Sequence, residues 1–177
     1  PAWPISYADI EPYYSEAERL YLVHGQRGID PTDPPASSPY PYPAVSHEPR
    51  IQRLHDDLVR KGLHPFPLPV GVNLNEQDPQ KSVCVRCSRL DGFPCLVDGK
   101  ADAHVCAIRP ALEHENVTLL TNSKVTRLET DSTGRSVSGV VVERDGTEDT
   151  YTGDVVVVSC GAVNSAVLLL RSANDQH

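Results

Sequence analysis

The chain has no methionine in 177 residues, one tryptophan and two phenylalanines. An open reading frame normally begins with Met, so a chain that starts at Pro1 reads as a segment of a longer or processed protein. It also has no excess of positive charge. Sixteen Lys and Arg against 24 Asp and Glu leave a net charge of −8, and the basic residues are not clustered. That excludes a nucleic-acid or anionic-membrane surface. No apolar run approaches the roughly 20 residues of a transmembrane helix. No signal peptide opens the chain, and a cytoplasmic protein is the expectation. Five cysteines, an odd number in a chain this long, do not form a disulfide framework.

What is present is organised around Asp154-Val-Val-Val-Val-Ser-Cys-Gly-Ala-Val-Asn-Ser-Ala-Val-Leu-Leu-Leu170. Four consecutive valines, Val155 to Val158, are too few and too β-branched for a helix. The run predicts a strand buried on both faces, as in parallel sheets covered by helices. The small residues Ser159, Cys160, Gly161 and Ala162 make a tight turn, and Val163, Val167 and Leu170 then recur at helical spacing. The unit is strand, glycine turn, helix.

Toward the N-terminus, Ser6 with Asp9 resembles a capping box, and Pro12 suits a first-turn position. Ile10, Tyr13, Ala17, Leu20 and Tyr21 form the expected core stripe of the first helix, with Gly25 as its stop. Residues 30–49 hold seven of the sixteen prolines and predict an extended connector. A second helix is expected over Pro49–Lys61, burying Ile51, Leu54, Leu58 and Val59 and ending at Gly62. His47 and His55 flank it as solvated or core residues. Leu63–Val72 reads as an extended edge segment.

Cys84-x-x-Cys87 has the knuckle spacing at which two thiolates reach one metal, with Cys95 and Cys106 following. Unliganded thiols or one disulfide, an iron–sulfur cluster and a zinc site all remain open for these residues. Asp98–Ala111 is expected to be a helix broken near Pro110. The period then becomes that of strands: Val117–Leu120, Asn122–Leu128, Ser136–Arg144 and Glu148–Thr152. A turn at 131–134 and an Asp145-Gly146 hairpin join the later ones into an antiparallel β-meander.

Several of these pieces, in this order, resemble the glucose–methanol–choline (GMC) family of flavin-dependent oxidoreductases. They are Trp3-Pro4-Ile5-Ser6-Tyr7 through Glu11-Pro12-Tyr13-Tyr14, Asn116-Val-Thr-Leu-Leu120 with Lys124-Val125-Thr-Arg127-Leu128, Val140-Val-Val-Glu143, and the run from Asp154 to Ser159. Gly161-Ala162-Val-Asn-Ser165-Ala166 followed by leucines and Ser172 is similar to the family's second signature, G-A-x-x-S-P. Ala166 departs from the signature's proline, and Ala173-Asn174-Asp175 from its Gly-containing end. Both point away from the alcohol- and choline-oxidising branches toward a sugar- or polyol-directed one.

The resemblance implies an α/β fold: part of a Rossmann-like FAD-binding domain with a β-meander, and part of a substrate-binding cap. Residues 1–97 would belong to the cap and residues 98–177 to the FAD domain. The implied function is oxidation of a hydroxyl on an alcohol, sugar or polyol by hydride transfer to FAD, with the rest of the same polypeptide as partner. Val125 would touch adenine through its backbone, and Cys160, Gly161 and Ala162 would line the cofactor because small residues let backbone approach it. The glycine motif for the pyrophosphate and the catalytic His are not in this sequence. No residue is therefore assigned to catalysis or to a metal, and the segment alone is expected to bind FAD poorly. A cysteine-ligated metal module (zinc or iron–sulfur) and a non-catalytic structural fragment are the alternatives.

Overall fold

The computed structural model describes residues 3–88 and 92–174. Arg89, Leu90 and Asp91 of the cysteine loop, and Asp175 after the last helix, lie outside them. The chain divides into two compact units, residues 1–117 and 118–177.

In the first unit, Ser6 and Asp9 start helix α1, Tyr7–Leu20. The Asp9 carboxylate accepts from the Ser6 N–H at 2.8 Å and from its hydroxyl at 2.6 Å, occupying groups that a helix end leaves open. Pro12 does not stand in the first turn as expected but inside the helix, where the N–H it lacks would have reached Ala8. Nor does the expected stripe face the core: Tyr13 is 70% exposed, Leu20 is exposed, and Ser15 is the buried residue. The reason is a polar seam. Glu11 Oε1 accepts from the Ser15 hydroxyl and the Ser37 N–H, each at 2.8 Å, and the Ser38 hydroxyl donates to Ser15 Oγ at 3.2 Å. This seam ties α1 to the proline-rich connector.

Helix α1 ends before Gly25, with Leu22 taking the left-handed position (φ 50°). Gly25 instead closes strand β1, Val23–Gly25. Strand β2, Tyr42–Pro43, joins β1 in parallel, so the connector is not wholly without secondary structure. Helix α2, Pro49–Arg60, starts on its proline and is followed by Gly62 at φ 78°. Its expected core residues Ile51, Leu54 and Val59 are exposed. The edge carrying His55 and Leu58 turns inward instead, with the His55 ring 5.3 Å from that of His47.

Strand β3, Val70–Gly71, completes the small sheet antiparallel to β1. After a 3-10 turn at Pro79–Lys81 and the cysteine loop comes a π-helical turn, His104–Ile108, running into a short α3, Arg109–Ala111. Pro110 therefore lies within the helical segment and does not break it. A π turn relieves the clash a proline ring makes with the carbonyl four residues back.

The second unit is a meander with one helix. Strands β4 (Ser123–Thr130), β5 (Val137–Arg144) and β6 (Thr147–Tyr151) pair antiparallel in sequence order. Asp145 and Gly146 both have positive φ, 50° and 80°, the geometry of a two-residue hairpin that follows strand twist. Adjacent Val141 and Val142 point to opposite faces and both are buried, so both faces of β5 are covered. Helix α4, Ala162–Arg171, packs on β4.

Two expected strands do not form. Val117–Leu120 is unpaired, and the valine run makes no ladder: Val155 is 81% and Val157 78% exposed. A strand needs hydrogen-bonded neighbours, and no described strand pairs with 155–158. Helices and two three-stranded sheets together make an α/β segment. No described helix is long and apolar enough to cross a membrane.

Candidate functional site

The glycine turn expected before α4 forms. Gly161 has φ 79° and ψ 160°, a region that only glycine occupies without strain. A Cβ placed there would meet nothing within 4 Å, so the absent side chain leaves open space rather than admitting a neighbouring element. Behind the turn, the Ser165 hydroxyl accepts the Cys160 N–H at 3.1 Å, and the Ser165 N–H reaches the Gly161 carbonyl at 2.9 Å. Cys160, Gly161 and Ala162 are exposed. The N–H groups of Ala162, Val163 and Asn164 belong to the first turn, which has no intrahelical acceptors, and no side chain caps them. A flat or anionic group can approach such a turn closely.

Val125 lies elsewhere in the same unit. It borders an apolar cleft of about 390 Å³ with Leu120, Val140, Val142, Tyr151 and Val157. Strand β4 is the edge of its sheet, so about half of its backbone N–H and C=O groups face away from β5. The pairing shifts between Val125 and Arg127, a bulge beside the expected adenine contact. Cys160, Gly161 and Ala162 do not border this cleft, so the four expected cofactor residues occupy two places. FAD is itself two-ended, an adenine nucleotide joined to a flavin. An open edge strand at Val125 and an uncovered glycine turn at Gly161 fit such a molecule.

Ser165 and Ser172 belong to the same run that carries Gly161. Both anchor α4: Ser165 at the turn, and Ser172 through the Leu128 N–H. Their recurrence in G-A-x-x-S and in the terminal Ser was the available signal.

The cysteines in the first unit differ from one another. Cys95 sits at a loop where the N–H groups of Val97, Lys100 and Gly99 point at its sulfur, holding its pKa below the ordinary thiol value. The Gly99 N–H is 3.1 Å from Sγ. Cys106 is pushed the other way, by burial and then by the Asp102 carboxylate. Cys84 lies against Gly99, where a Cβ would come within 2.8 Å of the Cys84 Cα. Among the described residues, no three His, Cys, Asp or Glu side chains are grouped to hold a metal ion.

Comparison with known proteins gives a family match over nearly all of the chain. A family model described as GMC oxidoreductase matches residues 5–177. The 6'''-hydroxyparomomycin C oxidase of Streptomyces lividus is 32% identical over 96% of this chain and 31% of its own length. Paromamine 6'-oxidase of Streptomyces fradiae is 31% identical over 96% of this chain and 30% of its own length. The gluconate 2-dehydrogenase flavoprotein of Pantoea cypripedii is 26% identical, over 97% and 31%. The chain thus spans about a third of the length of these curated relatives.

Proposed function

The chain belongs to the GMC oxidoreductase family, and from that membership we propose that it forms part of an FAD-dependent enzyme oxidising a hydroxyl on a sugar or polyol. Residues 98–177 are assigned to the FAD domain and residues 1–97 to the cap over the substrate. This division is by role, whereas the compact units meet at 117/118. The oxidase and dehydrogenase relatives support the reaction class, and the departures at Ala166 and Ala173 favour the sugar or polyol branch.

The observation that carries the reading is Gly161: a conformation reserved for glycine, at the head of α4, facing open space. In this role the Gly161 turn binds and orients. Cys160 and Ala162, both small, leave the approach to the turn open, and the Ser165 hydroxyl keeps the Cys160 N–H turned inward. Val125 offers edge-strand backbone to adenine. When bound, FAD supplies the hydride acceptor. No described residue is assigned the proton transfer.

The test is Gly161→Ala in the full-length protein, read as flavin content by visible absorbance and as turnover. An Ala at this φ and ψ costs about 1–3 kcal/mol and puts a methyl group where the cofactor would approach. The expected result is reduced flavin content in protein that still folds. Full flavin content and unchanged turnover would contradict the assignment. The 177-residue chain alone should show weak or no FAD binding in a titration, because it carries no glycine-rich pyrophosphate motif.

A further inference from the structure

In the first unit, the backbone segments around Asn73, Cys84 and Gly99 are laced together. The Cys84 N–H donates to the Asn73 carbonyl and the Asn73 N–H to the Gly99 carbonyl, each at 2.8 Å. Val72 and Lys100 form an isolated antiparallel bridge, and the Ala101 N–H reaches the Gly71 carbonyl at 3.3 Å. The Ser82 hydroxyl donates to the Cys84 carbonyl at 2.8 Å, so both backbone groups of Cys84 are held. Two cysteines meet on this lacing, at Gly99. Cys84 supplies the three heavy atoms nearest the point where a Gly99 side chain would begin, at 2.8, 3.0 and 3.2 Å. Cys95 Sγ lies 3.1 Å from the Gly99 nitrogen. Gly99 is not among the glycines with positive φ, so close approach is what excludes a side chain there.

The two thiols are set up differently. The N–H groups of Val97, Lys100 and Gly99 converge on Cys95 Sγ and favour its thiolate, the form that attacks a disulfide. Cys95 also sits on a turn whose closing hydrogen bond, from the Asp98 N–H to the Cys95 carbonyl, is long at 3.4 Å. Cys84 is the fixed member, held through its N–H and its carbonyl. Both thiols are unbridged and partly exposed, so a small reagent can reach them. A disulfide needs two Cα atoms within about 7 Å and side chains that can meet. Cys84 and Cys95 share Gly99 as a neighbour, and Gly99 carries no side chain to part them.

We propose that Cys95 and Cys84 form a thiol–disulfide exchange pair whose substrate is a low-molecular-weight disulfide, with Cys95 attacking and Cys84 resolving. The Cys95 thiolate attacks one sulfur of the small disulfide, whose S–S bond breaks. One half leaves as a thiolate and takes a proton from solvent. Cys84 gives its proton to solvent and attacks Cys95 Sγ in the mixed disulfide, and the second half leaves and is protonated in turn. Two protein thiols are oxidised to one disulfide, and the small disulfide is reduced to two thiols. The cross-link fastens the Cys95 turn to the laced segments, and a small thiol in excess reverses it. The pair lies within the first unit and requires no flavin.

The experiment treats the full-length protein with hydroxyethyl disulfide, a neutral probe, near neutral pH. The reaction is quenched in acid, digested with trypsin without reduction and mapped by mass spectrometry. Arg86, Arg89 and Lys100 place Cys84, Cys87, Cys95 and Cys106 on separate tryptic peptides, so every pairing is readable. Expected is a peptide pair joined through Cys84 and Cys95, lighter than the reduced pair by two hydrogens and separated again by dithiothreitol. Cys84→Ser should lose the cross-link and accumulate the hydroxyethyl mixed disulfide on Cys95. Cys95→Ser should lose the cross-link and leave Cys84 as a thiol. Should either serine variant fail to fold, the peptide map of the wild-type protein decides alone. Cys95 joined to Cys87 or Cys106 instead, a mixed disulfide on wild-type Cys95 that Cys84 does not resolve, or no reaction at Cys95 would overturn the proposal. Because flavin content is not measured, its failure would leave the Gly161 reading untouched.

Discussion

Ser172 Oγ accepts the Leu128 N–H at 2.8 Å while donating to the Leu168 carbonyl at 2.7 Å. One buried hydroxyl thus closes the last turn of α4 and holds the helix to strand β4, 44 residues earlier in the chain. Replacing it with alanine leaves the Leu128 N–H buried without an acceptor. The cost of such an orphan is about 1–3 kcal/mol. Ser172→Ala should lower the melting temperature in a thermal unfolding scan. Ser172→Thr keeps the hydroxyl and should recover part of the loss. An unchanged melting temperature for the alanine variant would mean that water replaces the hydroxyl.

Gly25 and Tyr40 make a second paired test. A Cβ on Gly25 would lie 2.5 Å from Tyr40 Cδ2, well inside contact distance. The ring cannot swing freely, because the Arg27 guanidinium sits 3.7 Å from its centroid and is held by Glu18 and Asp33. Overpacking of this kind typically costs about 1–3 kcal/mol. Gly25→Ala should therefore destabilise the protein, and the same change in a Tyr40→Ala background should cost much less. Equal costs in the two backgrounds, measured by denaturant unfolding, would show that the ring is not the obstacle.

These two pairs show which features the sequence could disclose. Signals local to a few residues were legible: the Ser6–Asp9 cap, Pro49 at the start of α2, the Asp145-Gly146 hairpin and the glycine turn at 161. Apolar pattern was a poorer guide, because it names the face that prefers burial and not what covers it. Ile51, Leu54 and Val59 lie on one face of α2 and are exposed, and the valine run has no ladder. Buried polar residues were the least visible. Nothing near His24 in sequence announces that its ring meets the Pro43 carbonyl, and nothing near Ser172 announces Leu128. Of the candidate site, the Gly161 turn was readable from its small residues. The separation of Val125 from that turn was not, since it depends on where β4 packs.

Glu76 gives a pH dependence. Burial works against its charge, yet the Ser46 hydroxyl and N–H, with Arg86, hold its pKa below the ordinary 4.5. A carboxylate whose folded pKa is depressed stabilises the fold fully above its unfolded value, and that contribution is lost as pH falls through the folded one. Stability should therefore decline as pH drops below about 4.5. Glu76→Gln should be less stable at neutral pH and show a shallower decline across that acid window. Parallel pH profiles for the two proteins in chemical unfolding would assign the acid sensitivity to other groups.

The thiols offer the last contrast. Three backbone N–H groups, those of Val97, Lys100 and Gly99, stabilise the thiolate of Cys95, while burial and Asp102 disfavour that of Cys106. The thiolate is the nucleophile in alkylation, so the reactive fraction at neutral pH is larger for Cys95. Neither sulfur is in a disulfide, and both residues are partly exposed, so access does not reverse the order. With limiting iodoacetamide, mass spectrometry should find Cys95 modified faster than Cys106, and the gap should narrow as pH rises toward the ordinary thiol range. Asp102→Asn should raise the Cys106 rate modestly, because burial is the larger cause of its shift. Faster labelling of Cys106 at neutral pH would show that the N–H groups around Cys95 do not hold its thiolate in solution.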